Sequence, residues 1–318
     1  MTPATDKRKV ASPFSPEQLR QISQDTLEAM TDVLCREMES AEMDQGLQIA
    51  CMAGASARVL EGQAQGKSPE DVAQSLAWKA YEEPEPLRAV ALALQAAAID
   101  PGCVDAAVTV ATLGATSPQS EIAILRDAVR EGEKRLGRKF FRANKGHFWG
   151  LLETRPYMRA RTALAEALWS AGQSAEAIAH YEAMLELNPH DNQGLRYALI
   201  GPYFCGDRLD GVQRLLQQYA DDDSAVFNWA RVLERFVSCD LTDAAQALER
   251  AKSANPHVLP LLTGKKRLPR TLPAMYGHGD KNEAIICVDA LLAAWHHHAA
   301  AMKWLKGAPV VMPLDSVH

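Results

Sequence analysis

Apolar residues recur along this chain at helical spacing in short blocks, and breaks rich in Gly, Pro and Asp separate the blocks. The clearest block pair runs from Met158 to Pro189, MRARTALAEALWSAGQSAEAIAHYEAMLELNP. Its first half sets Ala163, Leu164, Ala167 and Leu168 on one helical stripe. Gly172 breaks that helix, and Ser174 can cap the next. The second half continues the stripe through Ala177, Ile178, Tyr181, Met184 and Leu185, then stops at Asn188-Pro189. Proline ends the unit because its ring clashes with the preceding turn and it has no N–H to donate.

The unit recurs. Gly206 follows Gly172 by 34 residues, Gly211 and then Ala244 or Ala245 take the place of Ala177, and Pro256 follows Pro189 by 67 residues. The middle unit, Asn192 to Asp223, has Pro202 inside its first helix and no closing proline. The third runs from Ala225 through Trp229 and Phe236, turns at Cys239-Asp240 and ends DAAQALERAKSANP. Upstream, Pro86–Pro101 reads as a second helix with its closing proline, and 103–113 with 119–136 as the next pair.

Before these, 15–40, 43–63 and 69–81 read as three helices outside the repeat register, with Ser-Pro starts at Ser15 and Ser68. After Pro256 the stretch 257–280 carries three prolines and three glycines and reads as irregular. Asp280 and Glu283 suggest a capping box that opens a helix from Asn282 to about His298. A short helix with Met302 and Trp304 would seal the end. The expected organisation is a disordered lead-in over 1–14, an N-terminal helical region over 15–80, a helical repeat array over 81–256, and a C-terminal loop with capping helices over 257–318.

Composition fits an all-α chain: 47% apolar residues but only 6% aromatic, with Ala and Leu dominant. A net charge of −6 argues against non-specific nucleic-acid binding, which needs dense Lys and Arg. The N-terminus has no apolar stretch behind its basic residues, and no long apolar window predicts a membrane span. Six cysteines stand singly and form no CxxC pair, so buried free thiols in a reducing cytoplasm are expected.

The repeat pattern resembles the tetratricopeptide repeat. In that family a small residue sits at the helix crossing, here Ala165. A second small residue and an aromatic, here Ala177 and Tyr181, fill the gap, and a proline, here Pro189, closes the unit. Met184 stands where the family usually has alanine. Three strings, KGHFWGLLETRPYMRAR, YEAMLELNPHDNQGLRY and ANPHVLPLLTGKKRLP followed by YGHGDKNEAI, look like bacterial tetratricopeptide proteins related to the suppressor of tumorigenicity family, over residues 78 to 306. The resemblance implies an α-solenoid and no established reaction.

It also implies that the first helix of each pair lines an inner groove. Carried over, the groove positions are Arg159, Thr162, Glu166 and Trp169 in the first unit. They are Gln193, Arg196, Tyr197 and Ile200 in the second, and Trp229 and Leu233 in the third. Arg159 and Arg196 could clamp a carboxylate, with Tyr197 and Trp229 as apolar anchors. The Lys and Asn residues of the carboxylate-clamp subclass are absent from these slots, so a chaperone tail is not the expected ligand.

The expected function is a non-enzymatic scaffold that binds a peptide or partner protein through this groove, without nucleic acid, membrane or cofactor. Self-association through an incompletely capped end is a further expectation. The alternative is a helical enzyme with its site around His147, Glu153 and Arg155, where His147 and Glu153 could serve as an acid–base pair. No metal site is expected at His296-His297-His298, because successive helical residues point about 100° apart. Lys265, Lys266, Arg267 and Arg270 lack the context of a phosphate loop and read as a solvated cluster.

Overall fold

A computed structural model of the protein describes residues 68–307. The lead-in, the helices expected over 15–40 and 43–63, and Cys35 and Cys51 lie outside the described residues. Among the described residues every regular element is a helix, and no single helix is long and apolar enough to cross a membrane. The chain divides into two compact units, one ending at His190 and the other starting at Asp191.

The first unit is three helical hairpins packed side by side. In the first, α1 (Pro69–Glu82) and α2 (Pro86–Ile99) both begin with proline at the first helical position, where the missing N–H costs nothing. Ser68 and Asp71 close a reciprocal capping box on α1, and the Glu85 carboxylate caps α2. The second hairpin is α3 (Val104–Thr109), which widens into a π turn at Val110–Gly114, and α4 (Pro118–Asn144). The third is α5 (Arg155–Ser170) with α6 (Ser174–Leu187). The first helices touch in sequence, α1 on α3 and α3 on α5, while α2 packs on α3 and α4 on α5.

Two boundaries differ from those expected. α1 packs more extensively on α2 than on any other helix, so among the described residues the hairpin series already includes Pro69–Glu82, ahead of the start expected at 81. Helix α4 resumes beyond Gly137, whose left-handed φ of 74° interrupts it, and runs on to Asn144. At the crossing of α5 and α6, Ala165, Ala177, Tyr181 and Met184 are all buried.

The second unit pairs α7 (Leu195–Cys205) with α8 (Leu209–Gln218), and α9 (Ala225–Val237) with α10 (Leu241–Ala254). Pro202 lies buried inside α7. Of the alternatives at the small-residue slot in α10, Ala244 is buried and Ala245 exposed. The hairpin turns correct the repeat register by one residue. Gly172, Asp207 and Cys239 take the left-handed conformation, and the residue after each, Gln173, Arg208 and Asp240, donates its N–H to Leu168, Tyr203 and Arg235 respectively. Gly206 therefore matches Ala171, because two of the three left-handed positions are not glycine.

The stretch after Pro256 is not wholly irregular: Val258–Leu262 forms a single turn of helix, α11. Pro260 fits there because first-turn N–H groups need no helical acceptor. Asp280 caps α12 (Lys281–His297) by accepting from the Glu283 N–H. Glu283 does not return the bond to Asp280. Its buried carboxylate accepts from Ala225 N at 2.9 Å, Asn255 Nδ2 at 2.9 Å and Gly279 N at 2.7 Å, joining α12 to the start of α9 and the end of α10. Helix α13 (Ala299–Leu305) follows.

Helix α12 lies on α7 and α9. Trp229 on α9 meets Trp295 edge to face at 6.2 Å, and both are fully buried. Ile200 and Leu233 are buried with them. A Cβ on Gly201 would stand 2.5 Å from the Ala290 carbonyl, so only glycine permits this approach of α7 to α12. Gly201→Ala is expected to lower stability by about 1–3 kcal/mol in urea denaturation; an unchanged midpoint would disprove the close approach.

Candidate functional site

Helices α1, α3 and α5 meet at a cleft of about 440 Å³ whose walls include Asp71, Gln74, Trp78, Cys103, Arg135, Glu153, Arg155 and Arg159. Arg159 projects from α5 and bonds Asp105 of α3 with two donors, Nε to Oδ1 at 2.8 Å and a terminal nitrogen to Oδ2 at 2.5 Å. Gln74 of α1 donates to the same carboxylate at 2.7 Å. The guanidinium also lies over the Trp78 ring, 4.7 Å from its centre. Three successive first helices are thus tied through one carboxylate and one cation. Trp78 itself remains 44% exposed.

The Arg135 guanidinium closes another side of the cleft by bonding Asp100 at 2.5 Å. It runs across Gly102, where a Cβ would collide with it. Burial pushes the Cys103 thiol up to about 11, so this wall residue is not a thiolate nucleophile at neutral pH. Glu166, two turns along α5 from Arg159, is solvent-accessible yet recessed enough that loss of hydration raises its carboxyl pKa. Between them Thr162 donates to the Met158 carbonyl at 2.9 Å, and Trp169 is half-buried.

The segment 145–161 is largely a packed wedge. Phe148 is buried among Phe140, Phe141 and Tyr157. Thr154 donates to the Phe148 and Leu151 carbonyls, and Arg155 donates to the Trp149 carbonyl at 3.1 Å. Glu153 and Arg155 line the cleft, whereas exposed His147 is not among its walls. Arg161 bonds Tyr157 and His180, and burial followed by the Arg161 charge lowers the His180 pKa.

In the second unit Arg196 is already engaged. It donates to Asp222 at 2.6 Å, to Asp191 at 2.9 Å and to the Tyr197 hydroxyl at 2.7 Å. Asp191 also caps the start of α7, accepting from the Leu195 and Arg196 backbone. Tyr197 donates to Asp222 at 2.7 Å, and burial with that contact pushes its phenol up to about 12. Gln193 is half-buried at the head of the same segment.

The inner-face assignments therefore need correction. Arg159 does sit on the shared face of α1, α3 and α5, but it and Arg196 already bind carboxylates of their own units, so neither is a vacant clamp. Trp229, Ile200 and Leu233 are core residues, because α12 covers the face on which they lie. Trp78, Gln74 and Asp105 had no counterpart in the sequence reading. The signal available for Gln74 and Trp78 was the helical pattern of 69–81, once paired with α2, and for Asp105 the helix expected over 103–113. Lys265, Lys266, Arg267 and Arg270 are exposed. Cys103 and Cys287 are buried as expected, but Cys239 is exposed at its turn. No protein-family model matches the chain, and no curated protein does.

Burial disfavours ionisation of Asp222, but donors from Ser224, Arg196 and Tyr197 outweigh it and hold the carboxyl below its ordinary value. The lowered folded-state pKa adds stability that is fully present above about pH 4 and is lost as pH falls through the folded value. Asp222→Asn is expected to cost about 1–3 kcal/mol at neutral pH and to flatten this acid limb in denaturation profiles. An unchanged acid slope would contradict the ion-pair assignment.

Proposed function

We propose that the first unit is a tetratricopeptide-like solenoid segment that binds an extended peptide of a partner protein along its first-helix face. The observation that carries this reading is the cleft shared by α1, α3 and α5, with Trp78 standing half-open above a fixed guanidinium. An indole presents a large rigid surface at low entropic cost, as binding anchors do. Around it the ion pairs are already formed, so the polar walls are positioned before any ligand arrives. The walls carry both signs of charge, which suits a peptide backbone with mixed side chains better than a polyanion. The carboxylate clamp and the Trp229 anchor are not part of this proposal.

A cytoplasmic location belongs to the same proposal: a reducing compartment would keep the thiols of Cys103, Cys205, Cys239 and Cys287 free. The scaffold reading needs no cofactor. An enzymatic site around Glu153 and Arg155 would need another acid–base partner in place of His147.

Partners recovered by affinity purification with the full chain should be reduced to their binding peptides and titrated by fluorescence anisotropy. Trp78→Ala is expected to weaken binding by roughly tenfold or more, with the helical circular dichroism unchanged. Equal affinity in the folded variant would sink the reading.

A further inference from the structure

Helix α12 stops within the histidine run. His297 is its last residue, and His298 has φ −89° and ψ 68°. The chain then bends by 115° into α13. The divergence of about 100° between neighbouring side chains applies inside a helix, so it does not govern this pair. The two rings stand edge to face with centres 5.0 Å apart. In the turn between α7 and α8, Asp207 faces them in its left-handed conformation, φ 53°. His297 Nε2 lies 3.1 Å from Asp207 Oδ1, and one donor atom from each of the three residues lies within 4.8 Å of the other two.

We propose that Asp207, His297 and His298 bind one divalent transition-metal ion of the zinc class. Two imidazoles and one carboxylate suit borderline ions such as zinc, whereas magnesium and calcium require shells of oxygen. Tetrahedral zinc bonds of about 2.0–2.2 Å set neighbouring donors roughly 3.3 Å apart. The Asp207–His297 spacing already matches such an edge, and the exposed Asp207 and His297 side chains would turn toward the more buried His298 to close the rest.

His298 Nε2 lies 3.2 Å from the Phe204 carbonyl. A proton donated there leaves Nδ1 with the lone pair, and a backbone carbonyl behind a ligating imidazole is its usual support. Buried Phe204 and Trp295 anchor the two helix ends that carry the donors. Asp207 and His297 are exposed, so the ion enters from solvent and keeps water in its remaining position. The bound ion clips the α7–α8 turn to the bend after α12, and so fastens the helix that covers α7 and α9.

The full chain, made without a polyhistidine tag and stripped with chelator, is titrated with zinc chloride by calorimetry and with cobalt(II) by visible absorption. One ion per chain is expected, with cobalt bands of a low-coordinate site and a zinc-dependent rise in melting temperature. Asp207→Asn and His297→Ala should each weaken binding by roughly tenfold or more, while His296→Ala and excess magnesium leave it unchanged. Asparagine tolerates the left-handed backbone, so loss of binding in Asp207→Asn reports the ligand and not unfolding. The proposal is overturned by an absence of saturable binding, by binding that survives both ligand substitutions, or by equal loss in His296→Ala.

Discussion

A helical hairpin cannot bury its own apolar face, and how each unit covers that face determines what is left for function. In the first unit the cover is the next hairpin, α1–α2 against α3–α4 and those against α5–α6. The first-helix side then remains as a polar surface, stitched where Arg159 and Gln74 converge on Asp105. In the second unit the cover is α12, laid across α7 and α9. That arrangement buries two tryptophans on that face.

Buried and half-buried carboxylates hold both arrangements. Asp105 gathers three first helices, Asp222 and Asp191 grip Arg196, and Glu283 reaches two helix ends from the start of α12. A carboxylate accepts several donors at once, so one side chain can join elements that share no apolar contact. Removing such a group leaves donors unmet in a dry setting, which costs more than the bonds themselves contribute. The arginines that a sequence register presents as ligand clamps are for the same reason occupied within their own units.

Close packing supplies the finer control. Gly201 admits the Ala290 carbonyl and so sets the seat of α12. With α12 placed there, its broken end stands beside the α7–α8 turn, and Asp207, His297 and His298 come together. Residues 90 positions apart become neighbours through helix packing and not through any local motif.

Much of the fold was legible because its signals are local. Helical stripes, Ser-Pro starts and hairpin glycines act within a few residues, so the pairs 158–189 and 225–256 and the caps at Ser68 and Asp280 could be read directly. Misreadings arose where a local rule had an exception. Asp207 took the left-handed turn without glycine, which shifted the match of Gly206 by one residue, and Glu283 bonded Ala225, Asn255 and Gly279 and so did not close the expected capping box. The sequence by itself determined an all-helical chain of amphipathic pairs and where most helices begin. The tertiary structure alone decided that α12 would fill the face carrying Trp229, and that Arg159 would find Asp105 54 residues away. Periodicity records which side of a helix is apolar, but the partner that covers it is set by packing between distant segments, which no local pattern encodes.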